Sequence, residues 1–265
     1  MIPKIIHFCW LSNDEYPSKI AYCINSWKEK LPDYEIRLWN LSRFDINSSV
    51  WCKEAFESRK YAFAADYIRC YALYTEGGIY LDSDVEILKS FDSLLHLSYF
   101  IGEEQGGNIE PAVMGCEKGW RFMKEMMEYY DDRHFNVNGI FDMITLPVIM
   151  SDSINEKYKY IRMKYPSDFI KDENTFCVFP ATYFSPKYPN SFKCPVSSDT
   201  YSIHHFAASW YPMDKKIFRL IRRLFGYNVA HFCSIIVKKM RFFCLETLNV
   251  VNNKKQSIEW IKKKK

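Results

Sequence analysis

Residues 61–86 read YAFAADYIRCYALYTEGGIYLDSDVE, and this stretch decides the fold that the sequence predicts. Its first part, Tyr61 to Glu76, predicts a helix, which Gly77-Gly78 stops because glycine adopts the backbone conformations that end a helix. The apolar run Ile79-Tyr80-Leu81 then predicts a strand buried on both faces, as in a mostly parallel sheet. The stretch therefore predicts a helix that leads directly into a central strand.

Two aspartates, Asp82 and Asp84, follow that predicted strand. Residues two apart in an extended segment point to the same side, so the two carboxylates share one face. Such a pair at the end of a buried strand is costly without a cation, and carboxylate oxygens are ligands that Mg²⁺ and Mn²⁺ prefer. The pattern predicts a divalent-cation site at the strand end, where open α/β sheets bind ligands. The alternative for a D-x-D pair is a solvated turn.

Asp66 and Arg69 lie three residues apart on the predicted helix and therefore share a face. An exposed ion pair of this kind is worth little. The residues around the pair are largely apolar, however, so the pair is either buried and mutually paired or faces a polar ligand. An arginine beside a carboxylate suits sugar hydroxyls and phosphate oxygens.

The remainder of the chain up to about residue 213 alternates between predicted strands and helices, which indicates an α/β domain. The other predicted strands are Lys4–Cys9, Tyr34–Trp39, Val113–Cys116, Cys177–Phe179 and Tyr201–His205. The other predicted helices are Ser18–Lys30, Gly119–Tyr130 and Phe141–Ser151.

Charge divides the chain into an acidic body and a basic tail. Residues 214–265 contain 14 Lys and Arg against 3 Asp and Glu, whereas the other 213 residues contain 22 against 29. Residues 214–226 carry an apolar stripe with basic flanks, which predicts an amphipathic helix that binds an anionic membrane surface. The alternative is a helix packed on the core with its charges solvated. We expect a catalytic domain over residues 1–213 and a basic amphipathic helical tail over residues 214–265.

The composition argues against several classes of protein. A chain of 265 residues with 48% hydrophobic and 26% charged residues is globular rather than disordered, collagen-like or coiled-coil. Its longest apolar runs are far shorter than the roughly 20 residues that cross a bilayer, and no secretory signal is predicted. Nine cysteines without a C-x-x-C pair favour a reducing compartment, so we expect a cytoplasmic protein. No nucleic-acid-binding motif accompanies the basic tail, so no nucleic-acid partner is expected.

The segment AADYIRCYALYTEGGIYLDSDV (residues 64–85) resembles the signature of the DxD-containing sugar-transferase family, glycosyltransferase family 32. Members of that family include yeast Golgi mannosyltransferases and bacterial capsule and O-antigen enzymes, and the glucosyltransferase domains of large clostridial toxins are more distant relatives. The segments IPKIIHFCW (residues 2–10), VFPATYFSP (residues 178–186) and IHHFAASW (residues 203–210) are also similar to the family. The stretch ITLPVIM departs from it, because Leu146 stands where the family usually has glycine.

The resemblance implies an A-type glycosyltransferase fold, in which a Rossmann-like mixed sheet flanked by helices binds a nucleotide sugar. It also implies transfer with retention of anomeric configuration, Mn²⁺ or Mg²⁺ as the cofactor, and a nucleotide-sugar donor, with UDP-hexose preferred. The expected acceptor is a saccharide of bacterial capsule, O-antigen or other surface polysaccharide synthesis. The basic tail favours a lipid-linked acceptor and a peripheral position on the inner face of the plasma membrane.

By position, the resemblance implies which side chains would contact the donor. Trp10 would lie near the nucleotide base, where the alternative is a core tryptophan. Asp66 and Arg69 would hold the donor sugar. Ser209 would add a hydrogen-bond donor, and Trp210 would close over the diphosphate from a loop.

The resemblance also implies a set of metal ligands. Asp82 would contact the ribose and, through water, the metal, whereas Asp84 would bind the metal directly. His205 would be the third ligand. The sequence does not separate His205 from His204, because adjacent residues of a strand face opposite ways and only one of the two imidazoles should reach the metal.

Two other classes of protein remain open at this point. A metal-dependent nucleotidyl- or phosphotransferase could use the same aspartates, but neither a G-x-x-x-x-G-K-S/T loop nor a G-x-G-x-x-G fingerprint occurs. A non-catalytic, membrane-associated binding protein would bind anionic lipid without metal-dependent affinity for nucleotides.

Overall fold

The computed structural model describes residues 1–12, 14–189, 191–207 and 213–236. The chain divides into two compact units, of which the first is Met1–Pro189 with Lys193–Trp210. The second unit is Asn190–Phe192 with Tyr211–Lys265, so it begins close to the predicted start of the basic tail.

A mixed sheet of five strands forms the centre of the first unit, in the order β2-β1-β3-β6-β5. β1 runs parallel to β2 and β3, whereas β6 runs antiparallel to β3 and β5. The predicted α/β fold around a mixed sheet is therefore confirmed. The strands of the described residues are β1 (Ile5–Cys9), β2 (Glu35–Trp39), β3 (Gly78–Leu81), β4 (Val85–Ile87), β5 (Tyr99–Glu103), β6 (Ile109–Cys116), β7 (Asn136–Val137), β8 (Ile140–Phe141), β9 (Lys159–Arg162), β10 (Thr175–Val178) and β11 (Ser202–His204).

Helices pack on this sheet, with α3 lying against β1 and β3 and α5 against β6. The α-helices are α1 (Ser18–Lys30), α2 (Val50–Glu57), α3 (Tyr61–Glu76), α4 (Arg121–Glu128), α5 (Leu146–Lys157), α6 (Ala181–Phe184) and α7 (Met213–Phe225). The bounds predicted for α1 and α3 are confirmed. The predicted helix over 141–151 is wrong at its start, because Phe141 pairs in the β7–β8 hairpin and the helix begins only at Leu146.

The strands nearest the middle of the sheet are buried along their whole length, as expected for strands covered on both faces. All residues of β3 and all residues of β6 are buried. A charged residue, Glu110, is nevertheless among the buried residues of β6. Because a buried charge needs a partner, the groups around Glu110 indicate whether β6 has a role beyond packing.

The double glycine between α3 and β3 is required by both its conformation and its surroundings. Gly77 and Gly78 have φ angles of 68° and 103°, which side chains rarely tolerate. A Cβ on Gly77 would lie 2.6 Å from the backbone nitrogen of Lys118, and one on Gly78 would lie 2.7 Å from the carbonyl oxygen of Ile5. The sharp passage from helix to strand therefore depends on these two residues.

The second unit contains α7, which ends at Phe225 just before Gly226 with its φ of 84°, and a further helical stretch over residues 227–236. The helix predicted over 214–226 is therefore present. Apolar side chains of this unit are more than half exposed at Ile217, Leu220, Leu224, Phe225 and Phe232. Among the described residues, no helix combines the length and the apolar character that a membrane span needs. The last part of the predicted tail, residues 237–265, lies outside the described residues.

Candidate active site

Two carboxylates and an imidazole meet just beyond the end of β3. The backbone N–H of Asp82 donates to the carbonyl of Ala112 on β6 (2.8 Å), and a turn closed by the Val85 N–H on the Asp82 carbonyl (3.0 Å) leads into β4. β4 pairs antiparallel with β11, which sets His204 opposite Val85. Ligand atoms of Asp82, Asp84 and His204 consequently all lie within 4.8 Å of one another. We call these three residues the aspartate–histidine cluster.

The structure corrects the predicted histidine from His205 to His204. The Nε2 of His204 lies 3.3 Å from Oδ1 of Asp84. His205 faces the other way, and its Nε2 lies 2.7 Å from Oε2 of Glu86. The reason is the β4–β11 register, which the sequence does not contain.

Arg69 holds two aspartates together behind the cluster. Its Nη2 lies 3.1 Å from Oδ1 of Asp66 and 3.1 Å from Oδ1 of Asp82, and its Nη1 donates to the carbonyl of Pro111 (2.9 Å). The guanidinium also lies 4.6 Å from the ring centre of Tyr80. The side chains of Asp66 and Arg69 are therefore paired with each other, while 13% of the Asp66 side chain stays exposed and open to a ligand. Only 6% of the Arg69 side chain is exposed, against 27% for Asp82, so Asp82 is the more open of the two.

Burial and charge push the pKa values of the three aspartates apart. Burial raises the pKa of Asp66 to about 7, against the opposing influence of Arg69. Burial likewise raises the pKa of Asp82, although Arg69 opposes it. Burial would also raise the pKa of Asp84, but the charge of His204 and hydrogen bonds from His204 and the Ala207 N–H lower it to about 2. Asp84 is thus held as a carboxylate at neutral pH.

The residues of the cluster fit a divalent cation of the Mg²⁺ or Mn²⁺ type. Two carboxylates and an imidazole are suitable ligands for such an ion. With metal–ligand bonds of about 2.1 Å, two ligand atoms lie at most about 4.2 Å apart, so the atoms of the cluster, which lie within 4.8 Å of one another, would need to move slightly closer to bind one ion. The low pKa of Asp84 keeps one of these ligands ionised without help from a metal. The donor set could therefore hold the cation that the D-x-D pattern predicts.

Trp10 lies at the same edge of the sheet as the cluster. It follows β1, and the parallel pairing of β1 with β3 places the carboxyl ends of both strands together. The ring is half-buried, packs edge-on against Tyr16 at 5.0 Å, and donates from Nε1 to the carbonyl of Asp14 (3.0 Å). Its contact with a base stays a prediction. Ser209 and Trp210 lie outside the described residues, so their predicted roles also stay predictions.

The start of α5 contributes to the site through its backbone. The N–H of Leu146, the first residue of α5, donates to the buried carboxylate of Asp66 and opposes the rise of its pKa. A carboxylate at a helix N-terminus is also favoured by the helix dipole. The leucine that departs from the family pattern is fully buried and serves the site through its amide.

Sequence reasoning missed Glu110, whose carboxylate lies beside the cluster. Its Oε2 lies 3.1 Å from Nδ1 of His204, and its Oε1 accepts from the N–H of Ala112 (3.1 Å). Glu110 stands in the run IEPAVMGC, which is otherwise apolar. A single charge in a strand that reads as buried is the signal that could have found it.

Comparisons with known proteins agree with this site. A family described as "Glycosyltransferase sugar-binding region containing DXD motif" matches residues 17–101, which include α3, β3 and both aspartates of the cluster. Inositol phosphoceramide mannosyltransferase 3 of Schizosaccharomyces pombe is 34% identical over 139 residues, which are 51% of this chain and 39% of that protein. Inositol phosphoceramide mannosyltransferase 2 of the same yeast is 25% identical over 250 residues, which are 92% of this chain and 68% of that protein.

More distant similarities extend to bacterial proteins and to solved structures. Subversion of eukaryotic traffic protein A of Legionella pneumophila is 27% identical over 195 residues, 62% of this chain and 28% of that protein. The solved PaToxG glycosyltransferase covers 58% of this chain and 68% of its own, with a TM-score of 0.44 and 18% identity. The solved galactosyltransferase LgtC covers 74% of this chain and 92% of its own, with a TM-score of 0.34 and 13% identity.

The mixed α/β sheet and the cluster after β3 agree with the class of protein that the sequence predicts, a glycosyltransferase. More particularly, the predicted resemblance to the DXD-containing sugar-transferase family, glycosyltransferase family 32, is confirmed over residues 17–101. The alignment with the first of the yeast relatives covers 39% of that protein's length.

Proposed function

We propose that this protein is a retaining, metal-dependent glycosyltransferase with an A-type fold that transfers a hexose from a nucleotide sugar to a saccharide acceptor. The observation that carries the proposal is the aspartate–histidine cluster at the end of β3, with its ligand atoms within 4.8 Å of one another. The match of residues 17–101 to the DXD-containing family supports both the reaction class and a nucleotide-sugar donor. UDP-hexose is the preferred donor, and the names of the yeast relatives make a mannose donor the second candidate.

In this proposal Asp84, His204 and Asp82 hold Mn²⁺ or Mg²⁺. When bound, the cation stabilises the negative charge that develops on the departing diphosphate. Asp84 is kept ready for this role, because the Ala207 N–H donates to its Oδ2 (2.6 Å) and its pKa is low. Arg69 fixes the direction of the Asp82 carboxylate through the contact at 3.1 Å.

In this proposal, Asp66 and the residues around it orient the donor sugar. Asp66 receives hydrogen bonds or ion pairing from Arg69 and from the Leu146 N–H, so its carboxylate has a fixed direction in which it can accept from a sugar hydroxyl. The chain then needs to supply no nucleophile, because in a front-side reaction the leaving phosphate oxygen takes the proton of the acceptor hydroxyl. The acceptor oxygen bonds to the anomeric carbon as the bond from that carbon to the diphosphate breaks.

The acceptor that we propose is lipid-linked, as in the synthesis of a capsule, O-antigen or other surface polysaccharide. The support is an apolar surface that lies in the same chain segment as Leu146, whose N–H contacts Asp66. Its exposed side chains are Val137, Ile140, Phe141, Met143, Ile144 and Val148, of which Ile140 is 77% exposed. Lys60 lies 5.8 Å from the ring centre of Phe141 and adds a positive charge beside this surface. An apolar surface with a basic neighbour suits the lipid part of an anionic acceptor.

We also propose that the basic tail binds the anionic inner face of the plasma membrane, which would make this a peripheral membrane protein. The support is α7, which carries exposed apolar residues together with Arg222 and Arg223. Each basic residue near such a surface contributes about 1 kcal/mol. Binding to vesicles that contain phosphatidylserine should fall with rising salt, and deletion of residues 214–265 should abolish it. Vesicle binding that survives the deletion would remove this part of the proposal.

A panel of nucleotide sugars tests the transferase itself. The protein is incubated without acceptor, with Mn²⁺ or with EDTA, and release of the nucleoside diphosphate and free sugar is measured. We expect slow, metal-dependent hydrolysis of one donor, with UDP-hexoses and GDP-mannose as the discriminating members. Cleavage between the phosphates would instead indicate a nucleotidyl- or phosphotransferase. The absence of any metal-dependent nucleotide binding, together with vesicle binding, would indicate a non-catalytic binding protein.

A further inference from the structure

The first residues of β6 support the candidate site from behind. The carbonyl of Pro111 accepts from Arg69, and the carbonyl of Ala112 accepts from the backbone of Asp82. Glu110, the residue before them, is only 5% exposed and directs its carboxylate at His204. The same strand end therefore contacts both halves of the site, and Glu110 is its charged member.

Both oxygens of Glu110 are committed, which fixes the direction of each bond. Oε1 accepts from the N–H of Ala112 (3.1 Å), so Oε2 is the oxygen left for Nδ1 of His204 (3.1 Å). Because a carboxylate only accepts, the Nδ1 of His204 must be the donor. Nε2, which lies 3.3 Å from Oδ1 of Asp84, is then the nitrogen that can bind a cation; while no cation is bound, it donates its proton to Asp84.

We propose that Glu110 is a positioning residue for the metal-binding imidazole of His204. It holds a proton on Nδ1, so that Nε2 is the nitrogen that loses its proton to solvent when the cation binds. This inference rests on the proposed function, because it assigns a task toward the metal that the cluster would hold. Partners of this kind raise metal affinity by orienting the ligand and selecting its tautomer.

The test is the substitution Glu110→Gln, read out by binding of Mn²⁺ alone, measured from the electron paramagnetic resonance of the free ion. A glutamine has one acceptor oxygen, which the Ala112 N–H occupies, so its NH₂ group would face Nδ1 and move the imidazole proton to Nε2. We expect Mn²⁺ affinity to fall by about 10- to 100-fold. Glu110→Asp keeps a carboxylate and should therefore retain part of the Mn²⁺ affinity that the glutamine variant loses. It also tests the inference if the glutamine variant does not fold.

The chain offers a matched control in Glu54. This glutamate also contacts an imidazole, that of His134 at 2.7 Å, and also accepts from a backbone N–H, that of Asn136 at 3.0 Å. Because the aspartate–histidine cluster includes neither Glu54 nor His134, Glu54→Gln should leave Mn²⁺ affinity unchanged. It thereby separates loss of this particular contact from loss of a histidine–carboxylate pair in general.

A double substitution separates positioning from a merely structural role. In a His204→Ala background, Glu110→Gln should cause no further loss of Mn²⁺ affinity, because the imidazole that it positions is gone. An additional loss of 10-fold in that background, or an unchanged affinity of the single variant, would overturn the inference while the proposed function stands. A wild-type protein that binds no Mn²⁺ and cleaves no nucleotide sugar would overturn both.

Discussion

The candidate site is assembled from a local part and a distant part, which differ in how they are specified. The local part is the segment 61–86, which carries Asp66, Arg69, Asp82 and Asp84 within one helix, one strand and the turn after it. The distant part consists of Glu110 on β6 and His204 on β11, two residues separated by 94 positions. The local part is fixed by short-range geometry, whereas the distant part depends on which strands pair and in what register. A site of this kind can be recognised from one segment but completed only by the fold.

The largest effect is expected from the local part, at Asp84. Asp84→Ala should lower nucleotide-sugar hydrolysis by about 10³-fold, because it removes a ligand of the charge-stabilising cation. The rate is measured under saturating donor and Mn²⁺, with circular dichroism as the check on folding. Asp172→Ala is a suitable control, since that carboxylate contacts Thr175 instead. Turnover near the wild-type rate in Asp84→Ala would refute the assignment of the local part.

The distant part predicts unequal effects for two adjacent histidines. His204→Ala should lower hydrolysis by about 10²-fold and weaken Mn²⁺ binding, because it removes the imidazole of the cluster. His205→Ala should have a much smaller effect, since its Nε2 contacts Glu86. Parallel titrations of both variants with Mn²⁺ decide between them. A stronger effect at His205 would show that the β4–β11 register does not govern the site.

Asp66 tests whether the local part also binds the sugar. Asp66→Ala should lower hydrolysis by roughly 10- to 100-fold, because an orienting carboxylate beside the donor is lost, while Mn²⁺ affinity stays near that of the wild type. The comparison of rate and metal affinity in one variant separates donor orientation from metal binding. Equal losses in both would place Asp66 with the metal ligands instead.

The smallest effect at neutral pH is expected from a residue outside the site that supports the local part. Nε2–H of His7 on β1 donates to the carbonyl of Gly77 (2.8 Å), and its Nδ1 accepts from Trp39 (3.0 Å), so the buried ring is neutral. Burial lowers the pKa of His7 to about 4, below the value of 6.5 expected when unfolded. Because the unfolded chain binds the extra proton first, stability is complete above pH 6.5 and falls as the pH drops toward 4.

That loss should reach about 3 kcal/mol in the free energy of unfolding, which urea titrations at several pH values measure. His7→Gln removes the titrating group and should flatten this part of the pH profile. A wild-type profile with the same slope as that of the variant between pH 4 and 6.5 would show that His7 is not the group responsible.

The sequence predicts the local part well for physical reasons that residues 61–86 themselves contain. The glycines at 77 and 78 end α3, and the apolar run after them forms a buried strand, so the bounds of both elements follow. The turn after β3, rather than an extended backbone, brings Asp82 and Asp84 together. The choice of His205 was wrong because it depends on the pairing of β11 with β4. Glu110 was missed because the strand around it has the apolar sequence of an ordinary core strand, and its contact with His204 depends on the fold.

The error in secondary structure at Phe141 has a local cause instead. Phe141 was assigned to a helix because its neighbours are apolar, but it pairs with Asn136 in a hairpin whose turn includes Asn138 and Gly139 with positive φ angles. An Asn-Gly turn is a short-range hairpin signal, and here it outweighs the apolar character of the neighbouring residues.

The Gly77-Gly78 junction between α3 and β3 also fixes the distance between these two elements of the segment 61–86. It leaves no room for a side chain against Lys118 or Ile5, so the helix and the strand meet at one invariable distance. One inserted residue would move the strand by a single step and exchange its inner and outer faces. Asp82 would then turn away from Arg69, and the two parts of the donor site would separate although every residue of both was still present.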